Sequence, residues 1–249
     1  MNRTICLLIG VCVLVGTVRA GEKKGGELTD PLEILKKADA ATKAVNAVQI
    51  DITLEGTGAM AARVGSVKAS YIARGTERGA PKYWVSTAEV KRSESSEVKK
   101  IKGGTDGEDF YVIDYATKKA YFDMDPAVMG RTGQALRRAM MSEFLHDAPF
   151  TDEINAPKKE LKGSVVIAGE DCYEVHVVYS TERPQSSTWC FSKKDFLPRR
   201  RIQHRTGRDG QTGQIITTIT KLVVDPKIGP DTFKFKLPDG FEQIDDFAP

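Results

Sequence analysis

Between residues 31 and 45 apolar side chains return every three or four positions: Ile34, Ala38, Ala41 and Val45, with Leu35 beside them. That spacing marks one face of a helix. Asp30 suits its cap, Pro31 its first helical position, and Glu33 the third position after the cap, as in a capping box. Lys36, Lys37, Asp39 and Lys43 fall mostly on the opposite side. From Val48 the period changes to two. Val48-Gln49-Ile50-Asp51-Ile52-Thr53-Leu54 alternates apolar and polar, as a strand with one buried face does. Further strands are predicted at Ser66–Arg74, Lys82–Val90, Glu97–Lys102, Phe110–Asp114 and Lys119–Phe122, with Gly and charged residues between them. The β run is broken once, by a predicted helix over Pro126–Asp147 in which Leu136, Met140 and Phe144 recur at every fourth residue. Strands resume at Gly163–Ile167, Cys172–Tyr179, Thr188–Phe191, Arg199–His204 and Gln214–Val224. Thr181–Gln185 and Gly207–Gly210 are the expected hairpin turns. Short consecutive strands predict a mainly β chain built as an antiparallel meander, not alternating βα units.

The first twenty residues follow a different rule. Arg3 opens a basic start, Ile5 to about Val18 is apolar, and Val18-Arg19-Ala20 ends on a small residue. These are the parts of a cleavable export signal, so residues 1–20 read as a signal peptide and 21–249 as one domain. The apolar run is shorter than the ~20 residues of a spanning helix. Neither a lipid-modification cysteine just after Ala20 nor a later spanning stretch is present. The expected protein is soluble and exported, periplasmic in a Gram-negative cell and secreted otherwise.

Cleavage changes the charge. It removes two of the 37 basic residues, Arg3 and Arg19, leaving 35 against 34 acidic ones. No basic excess remains to bind nucleic acid. Cys6 and Cys12 also leave, so Cys172 and Cys190 are the remaining thiols, in a compartment that permits a disulfide. With a turn centred near Arg183 and Pro184, Cys172 faces Asp195, about five residues and ~17 Å from Cys190. A bulge or another turn centre brings the two within bonding reach. His146, His176 and His204 lie on separate elements without ligand spacing, so no metal site is expected. Gly-x-Ser-x-Gly is absent, and the carboxylate pairs Asp123/Asp125 and Asp245/Asp246 fall in turn or tail segments. The expectation is a binding protein, not an enzyme, with no cofactor. Arg199-Arg200-Arg201 is the densest basic run. Strand alternation splits it between two faces, either solvated or docked on an acidic membrane partner.

Three stretches carry a family resemblance. Ala80-Pro81-Lys82-Tyr83-Trp84 opens a strand. Thr105-Asp106-Gly107 runs into Phe110–Tyr115 and the return strand Lys119-Ala120-Tyr121-Phe122. Near the C-terminus, Asp231-Thr232-Phe233-Lys234-Phe235-Lys236-Leu237-Pro238-Asp239-Gly240-Phe241 contains F-x-F-x-x-P-x-G. In this order, after an opening helix, they resemble the LolA-like carriers that sort outer-membrane lipoproteins. The resemblance implies an incomplete β-barrel, a curved antiparallel sheet whose apolar concave face is covered by helices. It also implies acyl chains of a lipid or lipoprotein as ligand, without covalent chemistry. One position departs: the carriers have an Arg before the Pro of the first motif, and here it is Ala80, with Arg74 and Arg78 nearby.

Under that resemblance the candidate cavity residues are Tyr83, Trp84, Leu136, Met140, Met141 and Phe144. Tyr83 and Trp84 are adjacent on a strand, so only one can face the cavity. The methionines, Met124 and Met129 included, either line a lipid site or only pack a helix onto the sheet. The reading is an exported lipid- or lipoprotein-binding protein, a carrier between envelope membranes. Similar half-barrels act in envelope stress signalling, so the alternative is a sensor or interaction module that binds an envelope protein partner.

Overall fold

In the computed structural model the described residues are 27–77, 79–92, 95, 97–122, 136, 140–180, 185–207 and 210–244. The signal segment and the boundary of the 21–249 domain fall before residue 27, outside them. Helix α1 spans Pro31–Lys43. The Asp30 carboxylate accepts the Leu32 amide at 2.9 Å, and Pro31 starts the helix without an orphaned N–H. Its apolar stripe is buried through Ile34, Leu35 and Ala38, joined by Thr42. Val45, the last residue of the predicted stripe, lies beyond the helix end and is buried as well.

The strands are β1 (Ala47–Gly58), β2 (Ser66–Glu77), β3 (Ala80–Lys91), β4 (Val98–Thr105), β5 (Phe110–Asp114), β6 (Lys119–Phe122), β7 (Lys158–Ile167), β8 (Glu170–Ser180), β9 (Gln185–Ser192), β10 (Pro198–Thr206), β11 (Thr212–Val224) and β12 (Glu242–Ile244). A four-residue helix α2 (Ala61–Val64) joins β1 to β2, and α3 (Thr151–Asn155) precedes β7. The twelve strands of the described residues lie in one sheet, in the order β12-β6-β5-β4-β3-β2-β1-β11-β10-β9-β8-β7. The pairings are antiparallel except β12 on β6. The sheet does not close on itself: β7 and β12 are its edges.

Alternation assigns the faces. On β1, Val48, Ile50, Ile52 and Leu54 are buried, and they stand opposite Ala73, Tyr71, Ala69 and Val67 of β2. The same inner face continues through Trp84, Ser86 and Ala88 on β3. On the other side it runs from Leu54 through Thr217, Arg201 and Trp189 to Val175. α1 lays Ile34, Leu35 and Ala38 into this cluster, together with Leu136, Met141, Phe144 and Phe150. The Asp39 carboxylate of α1 accepts the Phe150 amide at 3.2 Å, tying helix and segment together.

Every predicted strand is present, most of them longer than expected. The predicted helix over 126–147 fares differently. Residues 126–135 and 137–139 are outside the described set, as are Met124 and Met129. Leu136 is helical, as predicted, whereas the described 140–147 stretch is irregular, with a turn over residues 142–145. Leu145 sits at φ 60°, a left-handed conformation that a helix cannot carry forward.

The outer face of β3–β6 is covered by the C-terminal F-x-F segment. Phe233 packs on Tyr83 at 5.8 Å between ring centres, and Phe235 on Tyr111 and Phe122 at 5.4 and 5.1 Å. Phe241 meets Tyr115 edge-on, and β12 then adds beside β6. The Thr105-Asp106-Gly107 motif is the β4–β5 turn: Thr105 Oγ1 accepts the Gly107 amide, and Asp106 Oδ1 those of Glu108 and Asp109. Gly107 has φ 97°, and a Cβ there would lie 2.9 Å from the Tyr83 ring. The turn therefore needs glycine twice over.

Candidate ligand-binding interior and its polar end

The inner face is an apolar trough. Of the predicted cavity residues, Trp84, Leu136, Met141 and Phe144 are buried in its main cluster and Met140 packs against it. Leu136 seats on β4 because Gly103 has no side chain: a Cβ there would fall 2.6 Å from Leu136 Cδ1. Tyr83 is not with them. It lies on the outer face under Phe233, with the Arg74 guanidinium 5.0 Å from its ring centre. As alternation requires, only one of the two neighbouring aromatics faces inward, and it is Trp84. Arg74 therefore lies on the outer face, and Arg78 lies outside the described residues.

At the β8–β10 end the trough becomes polar, a feature that sequence patterning did not reveal. Trp189 is fully buried between Phe150, edge-on at 5.1 Å, and Phe191, stacked at 5.9 Å. Its indole N–H donates to Glu153 Oε1 at 3.1 Å, and the Tyr179 hydroxyl donates to the same oxygen at 2.6 Å. Burial holds the Glu153 carboxyl above the usual carboxylate range, against the Tyr179 bond, which pulls it down. Burial and the Glu153 charge push the Tyr179 phenol up to about 12. The Arg201 guanidinium also lies over the indole, 4.7 Å from the ring centre. Arg201 also donates to Glu143 Oε1 at 2.7 Å, which pins the 140–150 segment to the sheet.

An open cleft of about 360 Å³ borders this network, lined by Glu153, Tyr179, Ser186, Arg201 and Arg205 among others. With the Gln203 amide oxygen turned toward them, Arg201 and Arg205 both donate to it, at 3.2 and 3.3 Å. The basic run is therefore split three ways. Arg199 is buried between Glu170 and Asp195, at 2.8 and 2.7 Å. Arg200 donates to Thr218 on the outer face, and Arg201 faces inward. These three form neither a solvated strand face nor a continuous patch.

Cys172 and Cys190 are both buried and unbonded in the structure. Cys172 pairs with Ser192 and Cys190 with Glu174, a diagonal offset of two residues. The bulge between Val178 and Ser180 brings them nearer than a regular hairpin allows but does not bring them opposite. Burial raises the two thiols to about 11 and about 12. On the outer face Thr188 Oγ1 lies 3.0 Å from His176 Nδ1 and 3.1 Å from His204 Nε2. His146 is apart and exposed. Among the described residues no three His, Cys, Asp or Glu side chains are grouped to hold a metal.

No family model matches this sequence, and no curated protein does either. Solved structures do. LprF from Mycobacterium bovis superposes with a TM-score of 0.52 at 12% identity, over 87% of this chain and 100% of its own. MucB superposes with a TM-score of 0.51 at 12% identity, over 83% of this chain. The fold is the LolA-like half-barrel. This chain spans 63% of the length of MucB. MucB has also been solved with MucA, from Pseudomonas aeruginosa; that structure matches at 11% identity and TM-score 0.47, over 83% of this chain and 61% of that one. Among the described residues no helix is long and apolar enough to cross a membrane.

Proposed function

We propose that the chain is an exported, non-catalytic protein that binds the acyl chains of a lipid or lipoprotein within the half-barrel and carries them between envelope membranes. The observation that carries this reading is the inner face. Nearly every strand contributes apolar side chains to one trough, and its described cover is only α1, Leu136 and the 140–150 segment. A trough of that chemistry suits an extended hydrocarbon chain, and Met140 and Met141 adapt to an irregular one. The Arg201–Glu143 pair supports a cover that is fastened by charge at one point and by apolar packing elsewhere. Lipid extraction from protein purified without detergent tests the reading: a stoichiometric acylated lipid is expected, and lipid-free protein that takes up none when offered it would refute the proposal.

A second reading is supported by the likeness to MucB, a protein solved in complex with MucA. In it the half-barrel binds an envelope protein partner and acts as a sensor. A pull-down from envelope extract that yields one membrane partner, with no lipid bound, favours it.

A further inference from the structure

Five buried side-chain polar atoms of the described residues have no hydrogen-bond partner: Thr42 Oγ1, Tyr71 Oη, Ser86 Oγ, Tyr111 Oη and Arg201 Nε. Tyr111 belongs to the outer cluster under Phe235. The other four belong to residues on the buried side of α1 or on the inner face of the sheet. A buried hydroxyl left unpaired costs about 1–3 kcal/mol, so polar groups in a core are ordinarily satisfied. Two of them, Tyr71 Oη and Ser86 Oγ, belong to residues in the apolar part of that face and call for a partner that the described residues do not supply.

Tyr71 and Ser86 are the most constrained. Both are wholly buried, and they stand directly opposite each other in the β2–β3 register. Ser86 in turn faces Gly103 on β4, where Leu136 is seated. The two hydroxyls thus belong to the strands beneath the cover, among Trp84, Ala69 and Ala88. Burial holds the Tyr71 phenol far above its ordinary value, so it remains a donor at every physiological pH. A bare hydrocarbon chain offers these donors nothing, whereas an ester or amide carbonyl has an oxygen with two lone pairs.

We infer that the hydroxyls of Tyr71 and Ser86 bind the carbonyl oxygen of an acyl ester or amide on the ligand, and so select acylated chains over bare hydrocarbon. This rests on the lipid-binding reading and gives that site its specificity. In the ligand-free protein the two hydroxyls are a standing cost; in the complex they are satisfied. Affinity and stability are then opposed at these positions.

The test uses Tyr71→Phe, Ser86→Ala and the double variant. Each is unfolded in urea without lipid, then titrated with palmitoyl lysophosphatidylcholine and with its ether-linked hexadecyl analogue, which lacks the carbonyl. Wild type is expected to bind the ester about tenfold more tightly than the ether, the worth of one or two well-made hydrogen bonds. The variants are expected to lose that preference while matching or exceeding wild type in urea midpoint. If ester and ether bind wild type equally, or the variants keep the preference, the inference falls and the lipid reading stands. A variant that unfolds at lower urea also overturns it, since its hydroxyl then has a structural partner. If neither lipid binds, the lipid reading and the inference fail together.

Discussion

Replacing Tyr179 by Phe removes one oxygen from the polar end of the trough and leaves the ring in place. That oxygen donates to Glu153 at 2.6 Å, on the same carboxylate oxygen that the Trp189 N–H reaches at 3.1 Å. When Glu153 is ionised, the lost bond is one to a charged acceptor, worth about 1.5–3 kcal/mol. When it is protonated, the bond joins neutral groups and is worth about 0.5–1.5 kcal/mol. The substitution is therefore expected to cost about 2 kcal/mol in alkaline solution and about 1 kcal/mol at low pH. For a chain of this size the larger figure lowers the midpoint of thermal unfolding by about 4–8 °C. Glu153 itself sets the sign of the companion experiment. Its carboxyl is raised above 4.5 by burial, so its contribution to stability is complete below that value and is lost as the pH rises through the native one. Glu153→Gln removes the loss and should gain on wild type as the pH increases. Urea unfolding followed by tryptophan fluorescence, at pH 4 and pH 8.5, measures both. A cost for Tyr179→Phe that is the same at the two pH values would refute the reasoning, because the charge on Glu153 would then play no part.

Three further outcomes follow from the outer face. His176 and His204 are held below the ordinary histidine value, chiefly by burial and in His176 next by the charge of His204. The native state disfavours their protonation, so their contribution is full above about 6.5 and declines as the pH falls through the native values. A His176→Gln/His204→Gln variant should lose less stability than wild type between pH 7.5 and 5.5 in chemical denaturation. Cys172 and Cys190 should resist alkylation at pH 8 in the native state and take two labels in urea; labelling that requires a reductant contradicts free thiols. Phe235→Ala removes two ring contacts, on Tyr111 and Phe122, and should cost about 2–3 kcal/mol. Amide exchange should then speed first in Glu242–Ile244.

The fold was legible wherever one physical signal dominated. Asp30 and Pro31 place the start of α1, and strict alternation places β1 with its buried residues correct. Alternation also states that Tyr83 and Trp84 oppose each other. It does not say which is inner, because that is decided by the F-x-F tail arriving from 150 residues away along the chain. α3 and β12 are too short to carry a periodic signal and are fixed by tertiary contacts: Glu153 by Tyr179 and Trp189, and β12 by β6. The cysteine register depended on a bulge near Tyr179, which composition does not announce. Arg201 was visible only as part of a basic run. Its inward orientation, over Trp189 and against Glu143, emerges only from the sheet register. The apolar trough was therefore expected, whereas its polar end and its unpaired hydroxyls were found.

Native mass spectrometry of the protein, isolated without detergent and sprayed from a volatile buffer, bears most directly on the lipid-binding reading. The expected spectrum has a population heavier than the polypeptide by the mass of an acylated lipid, released on collisional activation and restored by adding lipid. A spectrum of bare polypeptide alone, unchanged by acylated lipids in excess, would contradict it.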